Sequence, residues 1–271
     1  MFKENKSEEI INILKDGGIG ILPTDTIYGL VGRALDPETV ERIYEVRKRR
    51  PDKPFIILIS SIADLKLFNI KINKKTKTIL KKYWPGPVSI ILPCSDEKFY
   101  YLHRGTKTLA FRLPLPSRSR AELNARTCSH SSALVPPWRD SLLPVAHGDP
   151  LMKGRGVLGF SSPFTGGSRS DGQERAEREL MNATLGAFSV AQERLGGGNL
   201  IKILKQTGPL VAPSANPEGL EPAKTVKQAK KYFNNQVDFY FDVGRMESAP
   251  STLIKIVDDK IEVLREGAVK I

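Results

Sequence analysis

Two short polar segments of this chain each follow an apolar run with the length of a buried strand. Thr24-Asp25-Thr26 comes after residues 19–22, and Ser214-Ala215-Asn216 comes after residues 210–212. Hydroxyl, amide and carboxylate groups in a loop can hold a polar ligand by hydrogen bonds. Strand ends that open into polar loops are also where α/β proteins place ligands. The two segments therefore predict one ligand cleft built from distant parts of the chain.

A run of four cationic residues, Arg47-Lys48-Arg49-Arg50, falls at the predicted end of a helix. Cations interact favourably with the negative end of a helix, so a structural role is one interpretation. The other is stabilisation of a triphosphate, because guanidinium groups bind phosphate oxygens in a bidentate manner. The run itself favours neither interpretation.

The segment Thr108-Leu109-Ala110-Phe111-Arg112 has the alternation of a strand, which places Thr108 and Arg112 on one face. These two side chains would line the cleft if that face points into it. A half-exposed strand with no functional role explains the same spacing.

Several common kinds of site are not indicated by the sequence. There is no Gly-x-x-x-x-Gly-Lys-Ser/Thr loop and no serine hydrolase elbow. Cys128, His130 and His147 have no zinc-ligand spacing, and His103 stands alone, so we expect no metal site made by the protein. Two cysteines without a pairing pattern predict no disulfide framework and fit a reducing compartment.

The chain of 271 residues carries a formal net charge of +12. Such an excess favours anionic partners such as nucleotides, phosphates or RNA, although a lysine-rich surface that maintains solubility explains it equally well. No signal peptide or apolar membrane span is visible, so we expect a cytoplasmic location without membrane attachment.

Composition divides the chain into two parts. Residues 115–198 contain no isoleucine or tyrosine and a single lysine, Lys153, while Pro, Gly, Ser and Arg are frequent. This composition predicts a low-order insert of foreign character. Residues 1–114 and 199–271 alternate helical and strand patterns and would form a single domain. They predict an α/β (α+β) fold, a sizeable sheet with helical cover.

The motifs also carry a family resemblance. The string from Pro23 to Leu30 resembles the opening signature of the YrdC-like threonylcarbamoyl-AMP synthases. Ser214-Ala215-Asn216 resembles their Ser-x-Asn motif, and Arg47-Lys48-Arg49 resembles their Lys-x-Arg motif with Arg in the first position. Further matching segments lie at 111–114, 250–252 and 264–267. The resemblance covers residues 1–114 and 199–271 and omits the insert.

The resemblance implies a twisted mixed sheet with a positively charged concave face. It implies the synthesis of threonylcarbamoyl-AMP and pyrophosphate from L-threonine, bicarbonate and ATP, with Mg²⁺ accompanying the nucleotide. The product would serve tRNA threonylcarbamoyladenosine modification. Expected partners are therefore tRNA or double-stranded RNA and the downstream tRNA-modification transferase proteins.

The same resemblance assigns roles to individual residues. Those expected at the reacting groups are Arg47, Arg49, Ser214 and Asn216. Those expected to bind L-threonine are Thr26, Arg112 and Ser251. Those expected to bind ATP are Arg49, Lys53, Thr108, Ser214 and Arg265. A shifted alignment would instead use Lys48 and Arg50. Leu58 stands where some relatives have a ligand-contacting histidine.

Two alternatives to an active synthase stay open at this point. The domain could be a basic RNA-binding module without synthase activity, since a positive concave surface serves that role too. The insert could also have inactivated a once-active domain.

We predict that residues 115–198 are dispensable. Joining Pro114 directly to Asn199 connects a predicted strand to a predicted amphipathic helix by a short turn, and long insertions cost little loop-closure entropy. The deletion variant should be at least as stable and as active as the full chain. Limited proteolysis should cut the insert first and leave the flanks as one cooperative unit. A protected insert, or a deletion that unfolds the domain, would contradict this.

Overall fold

A computed structural model describes residues 4–115, 199–257 and 260–271. Their strands form a nine-stranded sheet in the order β7-β1-β2-β6-β3-β5-β4-β8-β9. The strands are β1 (Gly20–Pro23), β2 (Tyr28–Arg33), β3 (Ile56–Leu58), β4 (Val88–Pro93), β5 (Thr108–Arg112), β6 (Leu210–Val211), β7 (Phe239–Tyr240), β8 (Thr252–Val257) and β9 (Lys260–Arg265). The predicted insert lies outside the described residues.

Six α-helices accompany the sheet in the described part of the chain. They are α1 (Glu4–Lys15), α2 (Pro37–Arg47), α3 (Lys74–Tyr83), α4 (Tyr100–His103), α5 (Asn199–Thr207) and α6 (Val226–Phe233). Short 3₁₀ helices cover Ile62–Phe68, Glu97–Phe99 and Asn234–Gln236. None of the helices described here is long and apolar enough to cross a membrane.

The sheet is mixed, as the resemblance implied. β1 with β7, β3 with β5 and β4 with β8 are parallel, and the remaining neighbours are antiparallel. β6, which follows the insert in sequence, lies between β2 and β3. The flanks of the insert therefore share one sheet, and the polar segments after β1 and β6 are brought together.

Helix α2 begins and ends as its sequence predicts. The Asp36 carboxylate accepts hydrogen bonds from the backbone amides of Glu38 and Thr39, and Pro37 occupies the first turn. The helix ends at Lys48, whose φ of 49° is left-handed. It packs closely on β2, because a Cβ on Gly32 would lie 2.5 Å from the Thr39 side chain.

The first polar segment forms a short turn between two strands. The turn covers residues 24–27, and Tyr28 already begins β2. The turn is closed by Thr24, whose amide and hydroxyl both donate to the Ile27 carbonyl. The Tyr28 side chain lies in the core, where it is fully buried.

The buried Tyr28 hydroxyl holds a distant loop. It donates to the carbonyl of Gly244 at 2.7 Å and accepts from the backbone amide of Val243 at 3.0 Å. We therefore predict that Tyr28→Phe lowers the free energy of unfolding by about 1–3 kcal/mol, because it removes a partner from buried backbone groups.

Chemical denaturation of Tyr28→Phe and Tyr100→Phe measures this. Tyr100 is 54% exposed, so the same loss of a hydroxyl there should have little effect. Equal losses of stability in the two variants would show that the Tyr28 hydroxyl has no special role.

Candidate functional site

A cavity of about 200 Å³ opens where the two polar segments meet. Seven residues that the sequence assigned to the site are in its lining: Thr26, Arg47, Arg49, Arg112, Ser214, Ser251 and Arg265. They come from the β1–β2 turn, the end of α2 and the residues just beyond it, the end of β5, the loop after β6, the residue before β8, and the end of β9. The sheet thus gathers into one cavity residues that are far apart in sequence.

The two polar segments are joined by backbone pairing. Gly29 forms a β-bridge with Ser214, and the amide of Leu30 donates to the Pro213 carbonyl at 2.9 Å. The Ala215 amide donates to the Tyr28 carbonyl. A Cβ on Gly29 would lie 2.9 Å from the Thr24 methyl group. Glycine at this position therefore leaves room for the Thr24 side chain across the turn.

Arg112 links β5 to the first segment from inside the protein. Its Nη2 lies 2.7 Å from Asp25 Oδ1, in an ion pair whose side chains are 4% and 0% exposed. Its Nη1 donates to the Thr26 hydroxyl at 3.3 Å. Burial raises the pKa of the Asp25 carboxyl, against the opposing effect of the Arg112 charge. Asp25 therefore contributes to positioning Arg112 and is not itself in the cavity lining.

Arg47 organises the second segment. Its Nε donates to the Asn216 carbonyl at 2.7 Å, and its Nη2 donates to Asn216 Oδ1 at 3.2 Å and to the Ser214 hydroxyl at 3.3 Å. The Asn216 amide nitrogen donates to the carbonyls of Pro217 and Leu220. Asn216 is 6% exposed and lies outside the cavity lining, so its side chain positions the loop.

Arg49 has a different environment from Arg47. Its Nε donates to the Lys53 carbonyl, and its guanidinium carbon lies 5.4 Å from the centre of the Phe55 ring. Lys48 and Arg50 are exposed and are not in the cavity lining, and Arg50 pairs with Asp52 at 2.8 Å. The structure therefore places Arg47 and Arg49 at the cavity and leaves Lys48 and Arg50 outside its lining.

Ser251 and Arg265 belong to the β8–β9 end of the sheet, whereas β1 and β2 lie toward its other end. The Ser251 hydroxyl lies 2.9 Å from that of Ser89 on β4. Arg265 Nη2 donates to the Ser251 carbonyl at 2.9 Å, so the end of β9 is tied to the residue that precedes β8.

The cavity concentrates positive charge. Four arginines and no acidic residue are among its described lining residues. Burial, followed by the charge of Arg49, lowers the pKa of the Arg47 guanidinium to about 10. Burial, followed by the charge of Arg112, lowers the pKa of Arg265. Burial is the larger cause of both shifts and a neighbouring arginine adds to each, so an anion in the cavity would be favoured.

Two residues predicted to bind ATP lie outside this cavity lining. Thr108 begins β5, roughly 13 Å along the strand from Arg112, and its hydroxyl donates to that of Thr106. Lys53 forms an ion pair with Glu218, whose pKa is lowered to about 2, first by the hydrogen bond from Lys53 and then by that from the Arg50 amide. The described residues contain no group of three or more His, Cys, Asp or Glu side chains that could hold a metal ion.

Sequence reasoning missed the apolar wall of the cavity and its inner carboxylate. Ile27, Pro54, Phe55 and Pro222 line the wall. Their side chains carry no chemical signal in the sequence. Asp25 did have a signal, because it lies inside the first motif, but its contact with Arg112 depends on tertiary structure.

Comparisons with known proteins agree with this picture. The Sua5/YciO/YrdC family model, described as "Telomere recombination", matches residues 12–124 and 199–267. The chain is 36% identical over 101 residues to the threonylcarbamoyl-AMP synthase of Pyrococcus abyssi, an alignment that covers 37% of this chain and 30% of that protein. The chain therefore matches less than a third of that relative's length.

A second relative is similar over nearly the whole chain. The putative threonylcarbamoyl-AMP synthase of Methanocaldococcus jannaschii is 25% identical over 273 residues, which cover 99% of this chain and 90% of that protein. Among solved structures, P. abyssi Sua5 complexed with L-threonine superposes with a TM-score of 0.62 at 21% identity, over 98% of this chain and 55% of that one. This likeness shows that the fold is shared.

We predict that Arg47 and Arg49 differ sharply in their effect on stability. Arg47→Met removes the donors to the buried Asn216 carbonyl and amide oxygen, and should lower the free energy of unfolding by about 2–4 kcal/mol. Arg49→Met removes one partly exposed hydrogen bond and should cost less than about 1 kcal/mol.

The measurement is denaturant unfolding of the two variants beside the unmodified chain. The substitutions are matched, two residues apart in one cluster. Equal costs would mean that the buried hydrogen bonds of Arg47 do not hold the second segment.

Proposed function

This chain belongs to the Sua5/YciO/YrdC family, and on that premise we propose that it is an L-threonylcarbamoyladenylate synthase. It would convert L-threonine, bicarbonate and ATP into threonylcarbamoyl-AMP, pyrophosphate and water. The observation that carries the proposal is the convergence of Thr26, Arg112 and Ser251 with Arg47, Arg49 and Ser214 around one cavity.

The inner part of the cavity suits the amino acid. Arg112 is held by the buried Asp25 and presents a guanidinium beside the Thr26 hydroxyl, as an amino acid carboxylate requires. The volume of about 200 Å³ is below the roughly 300–1,000 Å³ of pockets that bury drug-sized ligands. We infer that threonine and its carbamate lie inside and that the nucleotide extends outward past Arg49.

The chemistry needs little covalent help from the protein. The threonine amine and bicarbonate first give a carbamate with loss of water. A carbamate oxygen then attacks the α-phosphorus of ATP, the bond from that phosphorus to the bridging oxygen of the β-phosphate breaks, and pyrophosphate leaves. The negative charge that spreads over the phosphoryl oxygens would be stabilised by Arg49 and Arg265, with Arg47 and Asn216 holding Ser214 in position.

Magnesium would enter with the nucleotide. Mg²⁺ prefers oxygen ligands and is usually bound by one or two carboxylates together with substrate phosphates. The described cavity lining offers hydroxyl groups and no carboxylate, so the triphosphate would be its main ligand here. When bound, the ion would neutralise charge on the phosphates.

The proposed product is a precursor for tRNA threonylcarbamoyladenosine modification, and tRNA-modification transferase proteins would consume it. We propose a cytoplasmic setting for this activity. Binding of tRNA or double-stranded RNA stays a prediction that rests on the net charge of +12.

The test is an assay of pyrophosphate release from ATP by the purified full chain in the presence of Mg²⁺. Release should require both L-threonine and bicarbonate, and omission of either should abolish it. RNA binding without this release would instead support the basic RNA-binding module. Activity that appears only after residues 115–198 are removed would support inactivation by the insert.

We predict that Arg49→Ala weakens ATP binding by roughly 1.5–3 kcal/mol, the contribution of one charge-assisted contact. Arg50→Ala is the matched control, since Arg50 pairs with Asp52 and lies outside the cavity lining. Calorimetric titration with ATP measures both. A larger loss in Arg50→Ala would indicate that the shifted alignment describes the nucleotide contacts.

A further inference from the structure

Glu218 connects the loop after β6 to the cationic segment after α2 through three contacts. Its backbone amide donates to the Arg47 carbonyl at 2.9 Å. Its Oε2 accepts from the backbone amide of Arg50 at 2.7 Å, and its Oε1 accepts from Lys53 Nζ. The two carboxylate oxygens therefore have separate partners, one on the main chain and one on a side chain.

Glu218 also provides negative charge close to the arginines of the cavity. The charge of Arg49 contributes to lowering the pKa of Glu218, and Glu218 in turn opposes the lowering of the Arg47 pKa. With a pKa of about 2, Glu218 is ionised throughout the neutral range. It is thus a counterion for Lys53 and for the nearby Arg47 and Arg49.

Resting on the proposed function, we propose that Glu218 is a resident counterion that competes with a polyphosphate for Lys53. Lys53 was expected to contact the nucleotide, yet it lies outside the cavity lining in an ion pair with Glu218. A polyphosphate that reaches past Arg49 would take Lys53 from Glu218. Glu218 then sets the affinity of the site for phosphate groups.

The geometry allows this exchange at low cost. The side chains of Lys53 and Glu218 are 45% and 24% exposed, and ion pairs as exposed as this contribute little to stability. When Lys53 leaves Oε1, Oε2 still accepts from the Arg50 amide and the Glu218 amide still donates to Arg47. The loop therefore keeps its place while the lysine changes partner.

The experiment is calorimetric titration with inorganic triphosphate at low salt. Glu218→Gln keeps an oxygen for the Arg50 amide and removes the charge, so it should bind triphosphate about fivefold more tightly than the unmodified chain. Glu221→Gln, an exposed change three residues away, should leave the affinity unchanged. In a Lys53→Met background the gain from Glu218→Gln should be largely lost, and threonine affinity should not change in any variant.

A second measurement follows Glu218 directly. NMR titration should give the Glu218 carboxyl a pKa of about 2 in the free protein, and saturating triphosphate should raise it as Lys53 leaves. Unchanged or weaker triphosphate binding by Glu218→Gln, or an unmoved carboxyl pKa, would overturn the proposal.

These outcomes are separable from those of the proposed function. If pyrophosphate release depends on threonine and bicarbonate but Glu218→Gln brings no gain, the counterion role alone fails. If the gain and the pKa change occur without such release, the synthase proposal alone fails. If none of the variants binds triphosphate, the counterion role fails, and pyrophosphate release still decides the synthase proposal.

Discussion

The guanidinium of Arg47 is the contact on which the arrangement of the cavity depends. It stands at the end of α2 and donates three hydrogen bonds to Ser214 and Asn216, which follow β6 on the far side of the predicted insert. The residue is 2% exposed, and an ion or polar group taken so far from water is stable only with its hydrogen bonds made. The same bonds therefore stabilise the arginine and hold the loop.

Arg112 plays the corresponding role for the other polar segment. Its ion pair with Asp25 is buried, and the geometry leaves one guanidinium nitrogen on the Thr26 hydroxyl. Buried ion pairs are weak evidence of stability, because desolvation offsets much of their attraction. Their value here is in placing a cation at a fixed position beside a hydroxyl, which is what recognition of a small anion requires.

The cations around the cavity thus differ in kind. Arg47 and Arg112 are buried and held by protein groups, whereas Arg49 is only partly covered and Lys53 is at the surface beside Glu218. Buried, hydrogen-bonded cations inside and more exposed cations outside suit a ligand with a small enclosed end and a longer charged end. Threonylcarbamoyl-AMP synthesis would bring together such a pair, an amino acid and a triphosphate.

Much of this protein was determined by local sequence. The cap of α2 at Asp36 and the strands of the sheet depend on patterns within a few residues, and the family was recognisable from the string that begins at Pro23. Where β2 begins was not visible locally, because it is pairing with β1, Tyr28 opposite Pro23, that carries the strand back to Tyr28.

Tertiary structure alone decided which motif residues face the cavity. Asn216 and Arg47 are motif residues that contact each other, and Glu218 forms an ion pair with Lys53. No spacing in the sequence encodes contacts between segments so far apart. The apolar wall around Phe55 could not be predicted from the sequence either, because an apolar residue that lines a cavity has the same sequence pattern as one in the core. Residue types determined the chemistry available, and the sheet order determined which groups meet.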